Sequence, residues 1–176
     1  MDAISRVPVN KNPLNVNGFR FSIMRSPHLN YFVQQVSIPG IAAGKAVVPT
    51  PFNRFPLSYD KIEYSDLVIT FLVDEELDNY MELFNWIRGL GFPDNFDQYK
   101  ALADQEKTTG GGLYSDATLT ILTSSKIPNI EVRFEDLFPT SLSEIQFNTN
   151  QDGITHAVCS CTFAYARFNV IGLTPD

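Results

Sequence analysis

Apolar and polar residues alternate along much of this chain. In "GFRFSIMR" (18–25), Phe19, Phe21 and Ile23 fall on one face with Arg20 and Ser22 between them. A period of two marks a half-buried strand. "YFVQQVSI" (31–38) predicts a second strand, stopped by Pro39-Gly40, and "SDLVITFLV" (65–73) a third, apolar enough to be buried on both faces. Shorter strands are expected at "ATLTILT", "IEVRFEDLF" and "LSEIQFN". In "NTNQDGIT", Asp152-Gly153 suits the positive φ values of a tight hairpin. The longest alternating run is "THAVCSCTFAYARFNV" (155–170).

One segment switches to helical spacing. In "EELDNYMELFNWIRGL" (75–90), Leu77, Tyr80, Met81, Phe84 and Ile87 predict an apolar stripe packed on a sheet. Asp74 stands where an N-cap is wanted, Glu75 and Glu76 favour the positive end of the dipole, and Arg88-Gly89 ends the helix. "DNFDQYKAL" adds a short helical turn. The pattern gives a β-rich α+β fold, an antiparallel barrel or sandwich with one packed helix, in a single domain over 1–176. Residues 1–17 form an N-terminal extension, and 103–115, "DQEKTTGGGLYSD", an exposed, mobile loop. The turn "RSPHLN" joins the first two strands.

One stretch resists this pattern. "NYFVQQVSIPGIAAGKAVVPTPFNRFPLSYDKIEY" (30–64) combines prolines and glycines with many apolar residues and few charges. It is too apolar for an ordinary surface loop and too broken for a buried strand. Composition points the same way. Charged residues make up 19% of the 176, below the usual quarter, so part of the surface is expected to face something other than water. Fourteen Phe and seven Tyr supply contact-rich side chains. A net charge of −7 argues against a groove that grips nucleic acid, because phosphate binding relies on Lys and Arg.

The N-terminus lacks the basic start and apolar core of a secretory signal, and no run is long enough to cross a bilayer as a helix. Two cysteines make no disulfide framework, so a reducing cytoplasm is the expected place of synthesis.

Chemical motifs are few. Cys159 and Cys161 share a strand face with Cα atoms about 6.6 Å apart, too far for tetrahedral zinc, whose sulfurs lie roughly 3.8 Å apart. His156 points to the opposite face. The two cysteines are therefore read as small residues filling a tight sheet face. Gly110-Gly111-Gly112 follow "KTT" where a phosphate cradle needs Lys and Ser/Thr after the glycines, which leaves a flexible loop. His28 and His156 fall in no catalytic motif, and the pairs Glu75-Glu76 and Glu135-Asp136 suit a helix start and a strand end. No catalytic, cofactor or metal residue is assigned. A small-ligand barrel and a hydrolase assembled from distant carboxylates stay open.

The order of elements resembles the tail tube protein family of contractile-tailed bacteriophages, which has relatives in contractile injection systems. "FVQQVSIPGI" is similar to the family's second strand and proline break before a long arm. "LVITFLVDEELDNYMELFNWI" is similar to its strand, acidic turn and single helix ending near Trp86. "VRFEDLFPTSLSEIQFNTNQDGITHAVCSCTFAYARF" is similar to its closing strand, Phe-Pro-Thr turn and hairpin into a final strand. The match spans most of 18–168. Residues 89–115 are longer than in a main tube subunit, which leaves a tail completion or tube terminator protein, or a tube-like baseplate ring, as alternatives.

The resemblance implies a structural virion protein without enzymatic activity or cofactor. It implies homohexameric rings whose sheets join into an inner barrel, with tube, sheath, terminator or baseplate proteins as neighbours and DNA passing through an acidic lumen. Residues 40–60 would then be an extended arm, with Val47, Val48, Phe52 and Phe55 at a subunit or ring interface. An Ω-like loop folded on its own body is the competing expectation.

Overall fold

The computed structural model describes residues 12–49, 51–91, 96–104, 112–150, 153 and 155–173. Along these residues run β1 (Phe19–Ile23), α1 (Pro27–Phe32), β2 (Val33–Val36), β3 (Ile41–Pro49), β4 (Arg54–Tyr64) and β5 (Leu67–Leu72). Then come α2 (Asp78–Gly91), α3 (Phe96–Ala103), β6 (Ser115–Leu122), β7 (Pro128–Leu142), β8 (Val158–Ala164) and β9 (Arg167–Gly172). A seven-stranded antiparallel sheet runs β1-β6-β7-β8-β5-β2, with β9 also on β7; β3 and β4 pair only with each other.

The large sheet folds over itself at β7. Its first half pairs with β6 and β9, its second half with β8. Between them Asp136 takes φ 55, and the β6 register slips between Ser115 and Ala117. The Asp136 N–H, turned out of the ladder, is taken by the Asp116 carboxylate at 3.2 Å. Such a bulge bends a strand and lets it change sheets. β8 and β9 bend at the same corner. Their register on β7 runs on from Phe138↔Ala164 to Glu135↔Arg167 around Tyr165-Ala166. The predicted long final strand is thus present as two pieces, and β7 is the longer strand. "IEVRFEDLF" and the start of "LSEIQFN" are one strand passing through Phe138-Pro139-Thr140, with a register shift between Pro139 and Ser141 instead of a turn.

Inward side chains fill the space between the two halves. Phe21, Ile23, Ile69, Phe71, Phe134 and Phe163 are all buried. β5 alternates buried and part-exposed positions, with Val68 in solvent, so it is covered on one face and not on both. β2 starts two residues later than expected, because "PHLNYF" forms α1 with Pro27 in its first turn. Proline's fixed φ suits that position, and the predicted turn is a helix.

α2 is rotated relative to the expected stripe. Asn79, Leu83 and Trp86 face the core, while Leu77, Met81 and Phe84 are exposed. Asn79 ties the helix start to the end of β5 in this rotation. Its amide donates to the Leu72 carbonyl at 2.8 Å and its Oδ1 accepts from the Asp74 N–H at 3.4 Å. Leu77 (φ 61), not Asp74, is the residue before the helix, and its carbonyl accepts from Met81 N–H at 2.8 Å. Asp74, Glu75 and Glu76 lie in the preceding turn. The helix also runs past Arg88-Gly89 to Gly91.

Several expectations fall wholly or partly outside the described residues: 1–11 of the N-terminal extension, most of the 103–115 loop with Gly110 and Gly111, and Asp152 of the Asp-Gly turn. Gly153 itself has φ 106, as the turn needs.

Candidate assembly surfaces

Residues 41–64 form a hairpin instead of a single extended arm. Ile41 pairs with Tyr64 at its root and Pro49 with Arg54 near its tip, with a slip at Gly44. Pro49 and Pro56 are tolerated because both strands are edges, with one row of backbone groups each unpaired. The root is tied to the body. Ser65 N–H donates to the Gly40 carbonyl at 3.0 Å, and the Tyr165 hydroxyl to the Ser65 carbonyl at 2.7 Å. Tyr64 packs edge-on against Phe168, ring centres 5.5 Å apart.

The four residues singled out from the sequence come together at the far end. Val47 is 52% exposed, Val48 43%, Phe55 60% and Phe52 at the tip 100%. Val48 and Phe55 are directly opposite, so they share one face; Val47 opposes Pro56 on the other. Ile41, Leu57 and Ile62 are exposed along the same ribbon and were not singled out. Their signal was available, since apolar residues recur on both sides of Pro56. A two-stranded ribbon is marginal in water on its own. One apolar on both faces calls for a cover.

A second uncovered place lies where the large sheet ends. β1 and β2 are its two terminal strands and do not pair. Phe19 of β1 and Val36 of β2 instead line a slot of about 160 Å³, together with Leu14, Val16, Ile38 and Ile121 among others. No ionisable side chain lines it.

The chemical candidates resolve differently. Cys159 and Cys161 are free thiols with no more than 1% exposure, opposite Phe71 and Ile69 in the sheet. Burial, then the neighbouring Cys159, pushes the Cys161 thiol far above its usual range, so it stays protonated. His156 is exposed and precedes β8. Among the described residues no three His, Cys, Asp or Glu side chains gather as a metal site. Glu135 is held by Arg167 at 2.6 Å and Asn169 at 3.1 Å. Glu75 and Glu76 are exposed. The inside of the fold is packed with aromatic side chains. Trp86 lies 6.2 Å from Phe163, donates to the Leu113 carbonyl at 3.1 Å, and carries the Arg25 guanidinium 4.9 Å above its ring. A larger open groove, about 540 Å³, runs between 144–148 and 155–158, with Glu144, Phe147 and His156 in its walls. Across α1 and α2, His28 Nδ1 meets Glu82 Oε1 at 2.5 Å, and the carboxylate raises the imidazole's pKa.

These features define a β-sandwich that, among the described residues, leaves apolar surface uncovered on the hairpin and in the β1–β2 slot. No family model matches the chain. The tail tube terminator protein of Enterobacteria phage T4 is 28% identical over 166 residues, covering 90% of this chain and 89% of that one. Among solved structures, the anti-feeding prophage tube-terminating cap superposes with a TM-score of 0.67 at 14% identity, covering 98% of this chain and 99% of the cap. A component of the anti-feeding prophage baseplate follows at 0.63 and 10%, covering 94% and 100%. Along nearly its whole length the chain is thus similar in sequence to that terminator protein and in fold to that tube-terminating cap.

Proposed function

We propose that this chain is a structural subunit of a contractile phage tail, forming a homohexameric ring that terminates the tail tube. The observation that carries this reading is the likeness to the T4 terminator along nearly the whole of both chains, not along one motif. The hairpin supports it, since Val47, Val48, Phe52 and Phe55 then lie at the contact with a neighbouring subunit. Cyclic closure through heterologous contacts covers one copy's arm on the next.

DNA passes through the ring during ejection. The outward face of β5 and β8 suits the wall of such a passage. Val68, Thr70 and Leu72 alternate there with Ser160 and Thr162 across the strands, and Thr70 hydroxyl bonds to Ser160 at 3.1 Å. A face with no Lys or Arg offers phosphate no counter-charge. No cofactor or catalytic step enters this mechanism.

Electron microscopy of the purified protein, alone and mixed with its tail tubes, tests the reading. Six-fold rings, or caps on one tube end, are expected. A monomer at high concentration that leaves both tube ends bare would overturn it. Fold likeness to a baseplate component favours a second position in the same tail. Labelled protein at the baseplate end of intact tails would select that position.

A further inference from the structure

We propose that the Phe52 ring of one copy seats in the apolar slot between β1 and β2 of a neighbouring copy. This rests on the ring assembly proposed above and says where the arm docks.

Size is the first observation. The slot holds about 160 Å³, and a cavity of about 150 Å³ lined by aliphatic and aromatic side chains binds benzene. A phenyl ring fits. Among the described aromatic side chains of the hairpin, Phe52 alone is wholly in solvent. Its place at the apex lets it enter a hole without the strands following.

Reach and topology select a second copy over the chain's own slot. The nine residues of β3 extend about 30 Å at about 3.4 Å each, well beyond the radius of gyration of about 16 Å expected for a compact body of this length. Ile38, in the slot wall, stands three residues before β3. The slot therefore lies at the hairpin's root while Phe52 lies at its tip. A ribbon paired from Ile41↔Tyr64 to Pro49↔Arg54 cannot double back onto its own root without losing that pairing. The contact is heterologous, knob on one side and hole on the other, the kind that closes into a ring or stacks into a tube.

The slot's chemistry gives the contact its sensitivity. With no ionisable group in the lining, a carboxylate brought there finds no counter-charge.

The test mixes chains carrying Phe52→Cys with chains carrying Val16→Cys under mild oxidation, with tail tubes present as template. Val16 is 83% exposed at the slot mouth, and the native Cys159 and Cys161 are too buried to compete. A disulfide between the two variants is expected in assembled rings, and none when either is mixed with wild type. Assembly should fall at least ten-fold for Phe52→Asp and for Val16→Asp, and persist for Phe52→Leu. Rings that form normally without the mixed disulfide, or in which Phe52→Cys links only to itself or to the tube protein, overturn the slot assignment while leaving the ring intact. Wild-type protein that forms no ring with tubes present removes the functional reading and this inference together.

Discussion

β5 and the β3–β4 hairpin are built from similar residues and meet opposite fates. Leu67, Ile69 and Phe71 on β5 are fully buried, whereas Val47, Phe52 and Phe55 on the hairpin are at least half exposed. The difference lies in what each strand can reach. β5 has β8 and β2 on its two sides and α1 packed against it; the hairpin has only its own partner strand. Apolar content therefore does not say whether a strand is core. The body covers its own apolar strands, while the described hairpin side chains stay exposed.

The sharpest way to break this contrast is to damage each side separately. Phe163→Ala removes a ring packed on Trp86 and should cost about 3–5 kcal/mol. The isolated subunit should melt far below wild type, and assembly should fall only in step with the folded fraction. Val48→Asp with Phe52→Asp should do the reverse. In the free subunit both carboxylates meet water, so the melting temperature should hold; at a contact an unpaired buried carboxylate costs several kcal/mol. Melting and assembly read on one sample separate the two. Lower melting with normal assembly of the folded fraction would mean that the hairpin packs on its own body.

A smaller effect is expected at the start of α2. Asn79→Ala leaves the Leu72 carbonyl without its 2.8 Å donor and should cost about 1–3 kcal/mol. If Asn79 sets the helix rotation, the variant should also show Trp86 in a more polar setting by fluorescence. An unchanged emission spectrum would mean that Leu83 and Trp86 orient the helix without it.

The β-rich class and most strands of the body were legible because period-two alternation survives wherever one face is covered. The rest was hidden for identifiable reasons. A polar Asn79 occupies a core position of α2, so the buried set 79, 83, 86 read as less apolar than the exposed set 77, 81, 84. The corner at Asp136 depends on a positive φ at a residue type that adopts it only with local help, here the Asp116 carboxylate. Pairing between 41–49 and 54–64 was obscured by Pro49, Pro51 and Pro56, which a central strand would exclude and an isolated ribbon allows. The β1–β2 slot has no sequence signature, because it arises from two sheet ends that approach without pairing.

The smallest expected effect is a pH dependence confined to the body. His28 and Glu82 join α1 to α2, and Asp78 and Asp74 add negative potential; all three carboxylates raise the imidazole pKa, Glu82 most. A raised folded-state value means that the protonated form is favoured by folding. The stabilisation is fully present below the ordinary His value of about 6.5 and is lost as pH rises through the raised folded value. His28→Gln should therefore melt below wild type in mildly acidic buffer and match it in alkaline buffer. Because the pair is exposed, salt should shrink the gap. The hairpin carries no histidine, its charged residues being Lys45, Arg54, Asp60, Lys61 and Glu63. Assembly of the folded protein should accordingly stay level across the same pH range. A melting gap between wild type and His28→Gln that widens with rising pH would reverse the sign assigned to the pair, and assembly that tracks pH together with that gap would show that body and arm are coupled.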